Sequence, residues 1–207
     1  MLLQPILPRF GVNYATGYIG FTYTGGFVAG SVAYFERWNR LGKLKVTHTF
    51  VVSGENECVE AHIDEGVARV PLTKYFDGPS CQVFFRQPRG WNPDLGRRIV
   101  DAAAAKVGSR YNTSLIVAEA ASDTFMGHWF NRLLRSWPNR LLSKVCDRSD
   151  HWICSQLVAY ALAQQPELQG RGVLRLPLDT IDPQQLFEDN TLFENWPNHA
   201  ATPDSER

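Results

Sequence analysis

The sequence predicts an α+β domain in which an antiparallel sheet packs against helices. Strand-like runs of β-branched and aromatic residues fall before residue 90, and helical periodicity dominates afterwards. The length, 207 residues with 44% hydrophobic content, suits one core and is too short for two independent ones. A single domain is expected over 1–199, with the polar stretch Ala200–Arg207 as a loose tail.

Gly17-Tyr18-Ile19-Gly20-Phe21-Thr22-Tyr23 reads as a short strand closed by the turn signal Gly25-Gly26. A helix is expected from Phe27 to Arg40, weakened by Gly30. Val46 to Val52, through Thr47-His48-Thr49-Phe50, is dense in β-branched residues and reads as a strand, with Ser53-Gly54-Glu55-Asn56 as the turn behind it. Glu57 to Ile63 then alternates strictly. It sets Cys58, Glu60 and His62 on one face and Val59, Ala61 and Ile63 on the other. Cys81 to Arg86 is a further strand, so three or four strands are expected as an antiparallel meander. Asn92-Pro93-Asp94 signals a helix start, and Gly108 is expected to stop that helix after about Val107. Asp123 to Arg135 reads as helical. So does His151 to Gln164, where Ile153, Leu157, Val158, Ala161 and Leu162 recur at helical spacing. Asp182-Pro183 opens a last short helix.

Lys+Arg and Asp+Glu balance at 21 each, which gives no excess charge to favour nucleic acid or an anionic membrane. The apolar start, Met1 to Pro8, has no basic leader and is interrupted by two prolines, so no export signal is read there. No run approaches the roughly 18 apolar residues that span a bilayer. Without a secretion signal, Cys58, Cys81, Cys146 and Cys154 are expected as reduced thiols. Cys146, His151 and Cys154 lack the paired spacing of a structural zinc site, so neither metal nor cofactor is expected.

Chemistry enters with Cys154. A thiol must ionise to attack a carbonyl, and the first turn of a helix, with its free N–H groups and dipole, favours the anion. Cys154 falls in such a turn, whose N–H groups also suit the oxyanion of acyl transfer. Free cysteines are more often packing than catalysis, so a base is needed. His48 is the candidate, because a histidine inside a sheet strand needs a partner to offset its burial. Pairing His48 with Glu60 centres the hairpin on Gly54, and pairing it with His62 centres it on Glu55. Either residue would hold the imidazole in one tautomer, and parity does not choose between them. A carboxylate would also stabilise an imidazolium, which favours Glu60.

These residues resemble the permuted papain-like hydrolases of the NlpC type, especially the YiiX/YaeF-like branch, in which the order along the chain is His, acid, Cys. Gly17-Tyr18-Ile19-Gly20-Phe21 resembles the family's Gly-Asp-Ile strand, and Thr47 to Val52 its Ser-His-Val-Gly-Ile-Val strand. Val59-Glu60-Ala61 is similar to the Glu-Ala strand, and Val70-Pro71-Leu72 to the segment after it. Gly108 to Asn112 is similar to Gly-x-x-Tyr-Asp, and Trp152 to Val158 to the Tyr-x-Cys-Ser-Glu-Leu-Val nucleophile motif. Ile181 to Leu186, followed by Leu192-Phe193, is similar to the Thr-Pro-x-Asp-Leu close. Tyr18 and Asn112 stand where the family has Asp, and Gln156 where it has Glu.

The resemblance implies a circularly permuted papain-like fold and a cysteine amidase or endopeptidase with a Cys154–His48–Glu60 triad, and it supports Glu60 over His62. It makes Tyr111, and with it Tyr18, candidates for an oxyanion or substrate contact. It implies amide substrates, with peptidoglycan peptides first. With no export signal the chain is expected to be cytoplasmic in the producing cell. A cell-wall target then requires a signal-peptide-independent secretion system, as for an antibacterial effector with an immunity protein as partner. Two alternatives stand beside this reading. One is a hydrolase or acyltransferase acting on lipid acyl esters or thioesters, which an apolar tunnel beside Cys154 would favour; the other is a binding module with a vestigial triad. Phe125, Trp129, Phe130 and Trp137 would wall a groove or complete the core, and Arg132, Arg135, Arg140 and Lys144 would meet an acidic substrate or line a solvated face.

Overall fold

Five strands form one antiparallel sheet in the computed structural model, which describes residues 8–23, 46–76, 82–111 and 151–195. They are β1 (Ile19–Tyr23), β2 (His48–Val52), β3 (Glu57–His62), β4 (Gly66–Pro71) and β5 (Gln82–Arg86), in the order β4-β3-β2-β1-β5. The first four make an antiparallel meander, of which β1 to β3 were expected. β5 departs from it, crossing back to pair with the free side of β1 so that Ile19 faces both Val51 and Arg86. β4 was not among the expected strands, because Gly66, Arg69 and Pro71 mask its short alternation of Val67 and Val70. Its ladder with β3, from Glu57↔Pro71 to His62↔Gly66, supplies the order that propensity does not. Gly66 closes that hairpin with φ 70, and a Cβ there would stand 2.3 Å from the Ser109 carbonyl oxygen.

Among the described residues three α-helices follow: α1 (Pro93–Ala104), α2 (Cys154–Ala163) and α3 (Pro183–Glu188). The start of α1 is the one its sequence signals, with the Asn92 side chain accepting from the Leu95 N–H at 2.9 Å and Pro93 in the first turn. It stops three residues before Val107, where the N–H groups of Lys106 and Val107 bond three residues back, at 3.0 Å each, and tighten the end into a 3₁₀-like turn. α2 begins three residues later than its periodicity suggests. His151–Trp152 instead form β7, parallel to β6 (Arg110–Tyr111), and two-residue strands of this kind leave no sequence signal. α3 carries a reciprocal capping box between Asp182 and Gln185.

Both faces of the sheet are covered. Ile19, Phe21, Val51, Val59 and Ala61 pack beneath Leu95 and Ile99 of α1 and Leu157 and Val158 of α2, all essentially inaccessible. Full burial of each large side chain contributes about 1.5–3 kcal/mol to docking the helices on the sheet. The opposite face carries Phe50, Val52 and Cys58 against Tyr14, Leu72 and Tyr75, the last two from a 3₁₀ turn, Leu72–Tyr75.

Gly20 lies on this second face, where a Cβ would sit 2.0 Å from the Phe50 ring. Gly20→Ala is expected to cost about 1–3 kcal/mol by overpacking, read as a lower urea midpoint with unchanged slope.

The expected helices over Phe27–Arg40 and Asp123–Arg135, the aromatic and basic groups between 125 and 144, Cys81, Asn112, Cys146 and the Ala200–Arg207 tail lie outside the described residues. Among the described residues no helix is long and apolar enough to cross a membrane.

Candidate active site

Cys154 is the first residue of α2. Ile153 before it is extended (φ −100°, ψ 162°) and offers no side-chain cap. The first helical bond runs from the Leu157 N–H to the Ile153 carbonyl at 3.0 Å, so the N–H groups of Cys154, Ser155 and Gln156 have no acceptor within the helix. The β6–β7 pairing sets the entry to this helix. Tyr111 lies opposite Trp152, two residues before Cys154.

His48 is the first residue of β2, and α2 packs across β2 and β3. At the N-terminus of that helix Cys154 is close enough for its charge and thiol to act on the His48 ring. On the other side of the ring, His48 Nε2 lies 3.0 Å from Glu60 Oε2. The nitrogen left for Cys154 is therefore Nδ1. One imidazole thus contacts a carboxylate with no solvent exposure and comes under the influence of a thiol at a helix terminus.

Register alone does not give this contact. The β2–β3 ladder pairs Val51 with Val59 and Val52 with Cys58, which centres the hairpin on Glu55, the register that sets His62 across from His48. The direct pairing of His48 with Glu60, centred on Gly54, is thus corrected to a diagonal one. Diagonal neighbours on one sheet face stand roughly 7–8 Å apart at the backbone, within reach of a His–Glu pair. His62 turns to solvent with its side chain 48% exposed, 3.7 Å from Asp64, and its ring centroid is 6.5 Å from that of His48. Glu60 goes inward because two further donors await it there: Lys74 Nζ bonds Oε1 and the Tyr75 hydroxyl bonds Oε2.

The electrostatics follow from these contacts. Burial by itself lowers the His48 pKa, but the charge and hydrogen bond of Cys154, then those of Glu60, outweigh it and raise the imidazole from 6.5 to about 9. Burial likewise pushes Glu60 up, yet His48, Lys74 and Tyr75 overcome it and hold the carboxyl down at about 2. A depressed carboxyl stabilises the fold above its ordinary value of 4.5 and loses that contribution as pH falls through about 2. A raised imidazole does so below 6.5 and loses its contribution as pH rises through about 9. The loss of unfolding midpoint caused by His48→Ala is therefore expected to be greatest near about pH 5–6 and to shrink above about pH 9, measured by urea titration across pH.

Tyr18 falls away from this group. Its carbonyl accepts from the Val52 N–H at 2.9 Å, at the far end of β2 and roughly 13 Å along the strand from His48. Its hydroxyl bonds Gln87 Oε1 at 2.6 Å, and its ring meets Trp91 edge-on. The residue across from His48 on β1 is Thr22. Tyr18 is therefore not brought to this group, and of Tyr111 the structure gives the backbone pairing with Trp152. Cys58 shares the Glu60 face, with its thiol pushed above the ordinary range by burial and the nearby Glu60 charge. Among the described residues no three His, Cys, Asp or Glu side chains group as metal ligands would.

Two features escaped the sequence reading. Lys74 and Tyr75 sit in a four-residue 3₁₀ turn without periodicity, and the available signal was that a buried carboxylate needs more than one donor. The second is a set of buried side-chain atoms without hydrogen-bond partners: Trp152 Nε1, Ser155 Oγ and Gln156 Oε1 close around Cys154 in sequence, and Thr47 Oγ1 adjoins His48.

Compared with protein-family models and with curated proteins, the chain matches none.

Proposed function

We propose that the protein is a cysteine hydrolase of amide bonds, with Cys154 as nucleophile, His48 as general base and acid, and Glu60 as the group that orients His48. The observation that carries the reading is a single imidazole with the buried Glu60 carboxylate 3.0 Å from Nε2 and the helix-terminal Cys154 acting on the same ring.

In this reaction Cys154 Sγ attacks the substrate carbonyl carbon, and the oxyanion is met by the unpaired N–H groups of the first turn of α2. The His48 Nδ1–H protonates the departing amine nitrogen as the C–N bond breaks, leaving an acyl thioester on Cys154. A water then attacks that carbonyl while His48 takes its proton. The carboxylic acid leaves as the thiol is restored. Glu60, accepting from Nε2, holds the tautomer that points Nδ1 at sulfur and stabilises the imidazolium.

Cell-wall peptides, the class the family resemblance implies, are the first to screen.

The test is to trap the intermediate. Incubation with peptide anilides and with muropeptides, acid quench and intact-mass measurement are expected to show an acyl adduct that maps to Cys154 and is absent in Cys154→Ala. A protein that neither acquires an adduct nor releases product from any amide or activated ester contradicts the proposal.

A further inference from the structure

We infer that Lys74 and Tyr75 are positioning residues of this site, which together clamp Glu60 against His48 and moderate how strongly the carboxylate pulls on the imidazole proton. The inference rests on reading Cys154, His48 and Glu60 as a catalytic triad.

Glu60 has no exposure to solvent, and both of its oxygens are engaged: Oε1 by Lys74, and Oε2 by His48 and the Tyr75 hydroxyl together. The same oxygen that orients the base is thus shared with a phenol. A buried carboxylate whose only partner is an imidazole has one donor to satisfy it and is free to swing about its side-chain torsions. Three donors from two elements remove that freedom and spread one negative charge over three partners. The clamp itself is held in place. The Tyr75 ring stacks on Phe50 with centroids 4.5 Å apart and planes 10° apart, and the His48 ring continues the stack at 6.0 Å and 29°. Gly20 leaves the space that Phe50 fills. The turn bearing Lys74 and Tyr75 is anchored by fully buried Leu72, whose N–H bonds the Asn56 carbonyl at 2.9 Å in the β2–β3 hairpin. Lys74 reaches Glu60 from the solvent side, its side chain 38% exposed, and its ammonium lies 5.0 Å from the Tyr75 ring centre.

The titratable groups that act here come from four elements. They are His48 on β2, Cys58 and the outward His62 on β3, Lys74 and Tyr75 on the 3₁₀ turn, and Cys154 on α2, with Glu57 acting more remotely on Cys58. Lys74 supplies the fixed positive charge among them. Removing it leaves the Glu60 charge to His48, which then holds its proton more tightly. Removing the Tyr75 hydroxyl frees Oε2 to His48 with the same sign.

The test follows the His48 imidazole by NMR in protein labelled at histidine, its resonance assigned with His48→Gln. The titration midpoint is expected to rise by roughly 0.5–1 unit in Lys74→Met and by a smaller amount in Tyr75→Phe, and to return to the parental value in Lys74→Arg. Urea unfolding of each variant is measured alongside. Tyr75→Phe preserves the ring stack, so it provides a folded variant if Lys74→Met does not. Midpoints that stay unchanged or fall in the folded variants overturn the inference and leave both residues as packing. The NMR readout needs no turnover. Moved midpoints without an acyl adduct on Cys154 therefore count against the hydrolase reading alone, and an adduct with unmoved midpoints counts against the clamp alone.

Discussion

Cys154→Ala is expected to lower hydrolysis by about 10⁴-fold or more, because the nucleophile cannot be replaced by groups that only bind or orient. Residual turnover would come from the helix N–H groups and substrate placement. The fold should survive, since the exchange removes one sulfur from a side chain at the rim of the core, 7% exposed, and leaves the first helical bonds of α2 intact. The same variant carries a second expected result that a packing cysteine would not produce. Cys154 is the largest of the influences that raise the His48 pKa, so its removal should bring the imidazole midpoint down from about 9. A near-parental unfolding midpoint, lost turnover and a lowered His48 titration form one signature. Loss of turnover with an unmoved His48 midpoint would show that the two side chains do not communicate.

Glu60→Ala is expected to be the most destabilising single change at the site, at about 3–5 kcal/mol, because it leaves one buried partner set without its acceptor. Lys74 can retreat to solvent, but the Tyr75 hydroxyl and the His48 Nε2–H lose their only acceptor among the described contacts. For a domain of this length that cost corresponds to a melting shift of roughly 6–20 °C. Glu60→Gln should cost less, since the amide keeps the shape and one acceptor oxygen. It nevertheless turns an N–H₂ toward a donor, whichever way it is placed, and removes the charge that favours imidazolium. Its His48 midpoint is expected below the parental value. Thermal melts and urea titrations of the two variants check both statements, and a Glu60→Ala protein as stable as the parent would show that the carboxylate is not the organising group described above.

Much of this arrangement was legible before any coordinates. The β-branched run around His48, the alternation through Glu60 and the helical spacing after Cys154 each follow from side-chain periodicity, and each element forms, with α2 starting three residues later than its periodicity suggests. What periodicity does not encode is less local. The parallel β6–β7 pair is two residues long and depends on a contact between segments forty residues apart, so the start of α2 at Cys154 was hidden. β5 pairs with β1 because their apolar residues complete both faces of the sheet, a tertiary preference invisible in either strand alone. Hairpin arithmetic offered two partners for His48 and assumed direct opposition. The diagonal contact depends on Lys74 and Tyr75, which come from a turn after the next strand. Tyr18 shows the converse, since a place in a family-like segment suggested a site contact and the register carries it to the other end of β2.

The central claim is that Cys154 and His48 act as a pair, and the most direct measurement is the rate of Cys154 alkylation by iodoacetamide against pH, in the parent and in His48→Ala. Peptide mass mapping separates Cys154, which is 7% exposed, from the other thiols, of which Cys58 is fully buried. The account predicts that near about pH 6 the parent reacts at least about tenfold faster than His48→Ala, an advantage that disappears on the alkaline side as the imidazolium is lost. Identical rate profiles in the two proteins would contradict it.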